Sequence, residues 1–156
     1  MVLEVLFLNF QTLLDLTNNV QQEMTMLTVS PIYVSFLALL IIFLAYRVTT
    51  FRRSEKISLG DQNGSKAMKS AVRVHANAVE NIPIAAILLV MLELNSVNPI
   101  LLHIFGSILV LSRCAHAWGL SHKNGPTPGR FYGTLFTWLL IVVMIAINLL
   151  VIILRS

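Results

Sequence analysis

Four stretches of this 156-residue chain are apolar over lengths that suit the interior of a lipid bilayer better than the core of a soluble domain. A helix needs ~20 mostly apolar residues to cross ~30 Å of hydrocarbon. The first stretch runs from about Val29 to Tyr46 and ends in the cluster Arg47, Arg52, Arg53 and Lys56. The third runs from Pro99 to about Leu120, and the fourth from Phe131 to Leu154 after the breaker-rich Asn124-Gly125-Pro126-Thr127-Pro128-Gly129. The second is only apolar from Ile82 to Leu92, and Asn95, Asn98 and Pro99 close its far end. Its missing length must therefore come from the near side. Counting ~20 residues back from Asn95 sets the membrane boundary near His75 or Ala76, which leaves Asn77 and Glu80 at hydrocarbon depth. The expected fold is all-α, an integral membrane four-helix bundle.

Composition agrees: 56% of residues are hydrophobic and only 12% charged, against about a quarter charged in soluble domains. The net charge of +4 does not indicate a nucleic-acid partner, because the basic residues flank apolar runs instead of forming a solvated face with aromatics between them. Cys114 is the only cysteine, which excludes an intramolecular disulfide and a cysteine-based metal site.

The distribution of Lys and Arg orients the spans. Between spans one and two lie Arg47, Arg52, Arg53, Lys56, Lys66, Lys69 and Arg73; between three and four lie Lys123 and the flanking Arg113 and Arg130. The second loop has none and the C-terminus only Arg155. The first and third loops are thus expected on the cytoplasmic side, with both termini away from it. Residues 1–27 form a separate N-terminal extension. Leu3, Leu6, Phe10, Leu13 and Leu14 recur at helical spacing there, without a basic leader or cleavage site. An interfacial helix and a non-native remnant both fit, and residues 28–156 carry the membrane domain.

Arg73, Asn77 and Glu80 stand at i, i+4 and i+7 and share one helix face; Pro83 follows and removes a backbone donor. Arg113 and His116 close span three, while Arg130 opens span four with Thr134 and Thr137 on the same stripe. Ionisable groups inside a span point to function. The arginines Arg47, Arg73, Arg113 and Arg130 outnumber the single carboxylate of Glu80, so the site suits an anion, and a ligand with carboxylates and one ammonium would match it. Simpler roles fit several of these residues. Arg47, Arg113 and Arg130 suit anchors that snorkel to the headgroups, Arg73 and Glu80 a structural ion pair, and Asn77 a helix-packing amide.

Arg73-Val74-His75-Ala76-Asn77-Ala78-Val79-Glu80 with Pro83 resembles the second-helix motif of the MAPEG family, the membrane-associated proteins in eicosanoid and glutathione metabolism. Ser58-Leu59-Gly60-Asp61 and Leu27-Thr28-Val29-Ser30-Pro31 are similar to its bacterial branch, and the similarity runs from about Leu27 to the C-terminus. The resemblance implies a homotrimer of four-helix subunits in the bacterial inner membrane, with glutathione as cofactor between neighbouring subunits and a lipophilic small-molecule substrate arriving from the bilayer. It also implies glutathione-binding roles for Arg47, Arg73, Asn77, Glu80 and His116, and Arg113, which shares a face and depth with His116, is a further candidate for binding the same ligand. Arg130 would be the catalytic group, stabilising the glutathione thiolate. A nearby guanidinium can bring a thiol pKa from about 8.5 to 7 or below. The chain departs from the pattern at Leu120, where some members have tyrosine, and at Phe131 and Thr134, where prostaglandin synthases have serine and tyrosine. A non-catalytic lipid- or partner-binding member is the alternative. A small transporter is the other, although neither an internal repeat nor a midplane charge supports it.

Overall fold

The computed structural model describes residues 11, 12, 27–122 and 127–155, with the side chains of 120–122 left aside. The expected stripe over residues 3–14 therefore lies outside the described residues, save for positions 11 and 12, as does most of the loop before Thr127. Four long helices follow one another: α1 (Ser30–Glu55), α2 (Lys66–Leu94), α3 (Pro99–His122) and α4 (Pro128–Arg155). Each is long and apolar enough to cross a membrane, and no strand occurs among the described residues. α1 continues past Tyr46 to Glu55, and α2 begins well before His75, so both helices extend beyond their apolar parts into the basic region.

Local chemistry sets these boundaries. Pro31 sits in the first turn of α1, where its missing N–H costs nothing. Val29 supplies no side-chain cap there. The cap comes from α2 instead. Glu93 Oε1 accepts from the backbone N–H of Thr28 (2.6 Å) and Val29 (2.7 Å), and Oε2 accepts from that of Ser30 (2.7 Å). A carboxylate at a helix N-terminus also favours the positive end of the helix dipole. At the other end of α1, Lys56 takes a left-handed conformation (φ 56°) and Ile57 N–H donates to Arg52 O. Ser65 caps α2 by accepting from Met68 N–H, and Glu55 in turn accepts from the Ser65 N–H and hydroxyl. Asn98 Oδ1 accepts from Ile100 N–H, with Pro99 in the first turn of α3.

α2 is the centre of the bundle and packs against the other three helices. Its buried residues Val74, Ala78, Ile82, Ala85, Leu89 and Leu92 recur at spacings of three and four, an inward stripe along the whole helix. Leu37 and Leu44 from α1, Leu102 and Leu109 from α3, and Leu140 and Met144 from α4 complete the core. The outer surface is apolar too: Phe36, Leu39, Ile42, Ile87, Val142 and Ile153 all point away from the bundle. In water such a surface would be a liability; facing lipid it is the expected solvent-matched exterior.

The end of the bundle away from the basic loops is fastened by amides. Asn148 Nδ2 donates to Met144 O and Leu88 O, and Asn148 Oδ1 accepts from Asn95 Nδ2. Arg155 donates to both carbonyl oxygens of Asn95, joining the last turn of α4 to the α2–α3 turn. Asn148 is therefore a packing group.

Candidate functional site

Because the helices alternate in direction, the end of α1, the start of α2, the end of α3 and the start of α4 meet at one end of the bundle. This is the end that carries the motif residues. At its centre is Arg113, only 1% exposed despite its charge. Its Nη2 donates to Asn77 Oδ1 on α2 (2.6 Å) and its Nη1 to Thr137 Oγ1 on α4 (3.4 Å). Thr137 in turn donates to Gly133 O. One guanidinium thus ties three helices together. Arg113 Nε and His116 Nδ1, both buried, meet no protein partner. His116 is 3% exposed and lies against Gly133, where α3 and α4 approach so closely that a Cβ would fall 2.6 Å from Ser112 O and 2.8 Å from His116 Cβ.

Asn77 thus points inward, whereas its motif neighbours point outward. Arg73 and Glu80 have side chains 64% and 56% exposed, with Arg73 Nη1 4.0 Å from Glu80 Oε1. Beside Asn77 is a contact that sequence reasoning missed: Asn81 Nδ2 donates to Asn77 O, and Trp138 Nε1 donates to Asn81 Oδ1 (2.9 Å each). Asn81 stands at i+4 from Asn77, a spacing that would have indicated it. Trp138 also closes one end of a cavity of about 380 Å³ along α4, with Arg130 at the other end and Phe131, Thr134 and Leu135 between. Arg130, Thr134 and Trp138 stand four residues apart, so the groove runs from a cation to an indole along ~12 Å of helix.

Arg47 is elsewhere. It lines a second cavity of about 390 Å³, between α1 and α3, together with Leu40, Phe43, Leu44, Cys114 and Trp118. Within one chain the structure joins Asn77 to Arg113, pairs Arg73 with Glu80, sets Arg130 at the head of a groove, and leaves Arg47 on a different face of α3. Among the described residues no cluster of three or more His, Cys, Asp or Glu is arranged to hold a metal ion.

Four apolar helices with charge gathered at one end define a multi-pass integral membrane protein, with the candidate site at the end that carries the basic loops. The chain belongs to the MAPEG family, whose family model matches residues 30–150 and so reaches from the start of α1 to the last turns of α4. It is similar to the inner membrane protein YecN of Escherichia coli strain K12, with 34% identity over 121 residues, 78% of this chain and 90% of that protein. YecN of the Escherichia coli O6:H1 strain is similar to the same extent.

Proposed function

We propose that the protein is a membrane-bound, glutathione-dependent transferase or peroxidase that works as a homotrimer. One observation carries this reading: Glu80 is exposed on a membrane-spanning helix, at the hydrocarbon depth expected from the sequence, with Arg73 just outside the membrane boundary and 4.0 Å from its carboxylate. A carboxylate facing hydrocarbon is costly, whereas a second copy packed on this face of α2 would enclose it together with Arg73. The enclosed site would then hold a polar guest between copies.

Glutathione matches that guest, having two carboxylates and one ammonium. Arg73 would take a carboxylate and Glu80 the ammonium, each through charge-assisted hydrogen bonds. Asn77, held by Arg113, would fix the orientation of α2 behind them. Arg130 would stand by the sulfur and stabilise the thiolate, and a shift of about 1.5 pK units needs only ~2 kcal/mol of differential stabilisation. The Arg130–Trp138 groove would receive the lipophilic partner from the bilayer. In the transferase reaction the thiolate sulfur bonds to an electrophilic carbon and the leaving group departs with its electron pair. In the peroxidase reaction two glutathiones are oxidised to the disulfide, and the hydroperoxide is reduced to an alcohol and water.

The test is turnover of purified full-length protein with glutathione and either a chlorodinitrobenzene or a fatty-acid hydroperoxide. Activity that disappears in Arg130→Ala supports the reading; activity unaffected by that change refutes the role of Arg130. Phe131 and Thr134, apolar or weakly polar beside Arg130, favour a second reading in which the site binds a lipid or partner without chemistry. That reading predicts glutathione or lipid binding with no turnover for either substrate.

A further inference from the structure

α2 begins well outside the membrane. The sequence sets the hydrocarbon boundary near His75 or Ala76, and the helix starts at Lys66. At 1.5 Å per residue its first turn stands ~10–14 Å above that boundary. Headgroups reach only ~5–7 Å beyond the hydrocarbon, so Lys66 and Lys69 rise past them. Side chains on a helix lean toward its N-terminus, which carries both ammonium groups still further from lipid. Lys66, Lys69, Arg73 and Glu80 follow at spacings of three, four and seven, and all four are exposed. They form one stripe, opposite the buried Met68, Ala71, Val74 and Ala78. Cations thus line the whole descent, ~21 Å long, from the start of the helix to Glu80.

The placement of the two lysines works against the helix itself. A helix N-terminus is its positive end and favours acids, yet the first turn of α2 holds no acid and both lysines. Neither lysine has a carboxylate within ion-pair reach among the described residues. Glu55, at the facing end of α1, is already taken by the N–H and hydroxyl of Ser65. Lipid anchoring does not account for cations set above the headgroups, and helix stability does not account for cations at a positive helix end. A soluble anion accounts for both.

We propose that Lys66 and Lys69 capture an anionic peptide from the water at the basic end and guide it down α2 to Arg73. The proposal rests on the glutathione reading above and adds how that ligand, whose two carboxylates outnumber its ammonium, is drawn to the site. The lysines act on the approach and make no contact in the bound state. They therefore set the association rate and leave dissociation alone.

The experiment follows a fluorescent bimane S-conjugate of glutathione as it binds full-length protein in phosphatidylcholine nanodiscs, by stopped flow. It is run at about 10 mM and about 1 M salt, where charges act over ~30 Å and ~3 Å. At low salt the Lys66→Gln, Lys69→Gln double variant should associate about threefold more slowly than the wild type, and the Lys66→Glu, Lys69→Glu double variant about tenfold, with dissociation unchanged. At high salt all three should associate alike. Lys66→Arg with Lys69→Arg should keep the wild-type rate. Lys69→Glu should slow association more than Arg53→Glu, which makes the same charge change on α1. The double glutamate variant should also melt at a higher temperature than the wild type, because acids suit the start of a helix. Equal association rates in all variants at low salt overturn the inference and leave the glutathione reading standing. A lower melting temperature in the glutamate variant with an unchanged rate also overturns it, since the lysines would then be structural. Failure of the wild type to bind the conjugate removes the inference and the glutathione reading together.

Discussion

Asn77 Oδ1 accepts a 2.6 Å hydrogen bond from Arg113, and this contact turns the α2 motif so that Asn77 faces the core while Arg73 and Glu80 face out. A buried guanidinium without a carboxylate partner is expensive, and here its stabilisation comes from the amide and from Thr137. Arg113→Ala should therefore lower stability by about 3 kcal/mol, through lost hydrogen bonds and the cavity left behind. Thermal unfolding in detergent would show it. An unchanged melting temperature would mean that Arg113 is not the tie between helices described above.

Glu93 should be a stability residue with no part in chemistry. It lies ~20 Å along α2 from Glu80, given 1.5 Å per residue. Glu93→Ala leaves three N–H groups at the start of α1 without their acceptor and should cost about 2 kcal/mol. Glu93→Gln, which keeps one acceptor oxygen, should cost about half that. Turnover below the melting temperature should match the wild type in both. The measurement is paired thermal unfolding and glutathione-dependent activity, and a large loss of activity at full stability would contradict it.

Two glycines make unequal predictions despite similar crowding. At Gly133 an added Cβ meets the backbone oxygen of Ser112 and the backbone nitrogen of His116 (2.8 Å), which cannot yield without moving α3. Gly133→Ala should cost about 2 kcal/mol. At Gly106 the obstacle is the Tyr33 ring, a side chain at the half-exposed edge of the bundle, and Gly106→Ala should cost less, about 1 kcal/mol. Denaturation of the two variants side by side checks the order.

Trp138 gives a direct optical reading of its bond to Asn81. Asn81→Leu leaves the indole N–H without its partner and should shift the emission of a Trp118→Phe protein, with a stability loss of about 1 kcal/mol. Identical emission before and after would show that the indole does not hold this contact.

Much of the fold was legible because bilayer thickness is a hard constraint. Length alone delimited the four spans, and the shortfall at Ile82–Leu92 placed Asn77 and Glu80 inside the second. What escaped was rotation about helix axes. The spacing of Arg113 and His116 gave their common face, yet snorkelling and burial fitted it equally, and only the packing of α3 against α2 and α4 decides for burial. Arg47 shared a depth with the other arginines but not a side of α3, which periodicity within one helix cannot show. Glu93 escaped for another reason. Its partners are backbone N–H groups more than sixty residues away, and backbone leaves no mark in sequence.

The central claim is that Arg73 and Glu80, exposed within one chain, hold glutathione when copies assemble. Its most direct test is calorimetric titration of glutathione into the detergent-purified assembly, with wild type, Arg73→Ala and Glu80→Gln compared at equal folded fraction. The account predicts saturable binding by the wild type and at least about tenfold weaker binding by each variant, the effect of losing ~1.4 kcal/mol. No saturable binding by the wild type, or equal affinities in all three, would contradict it.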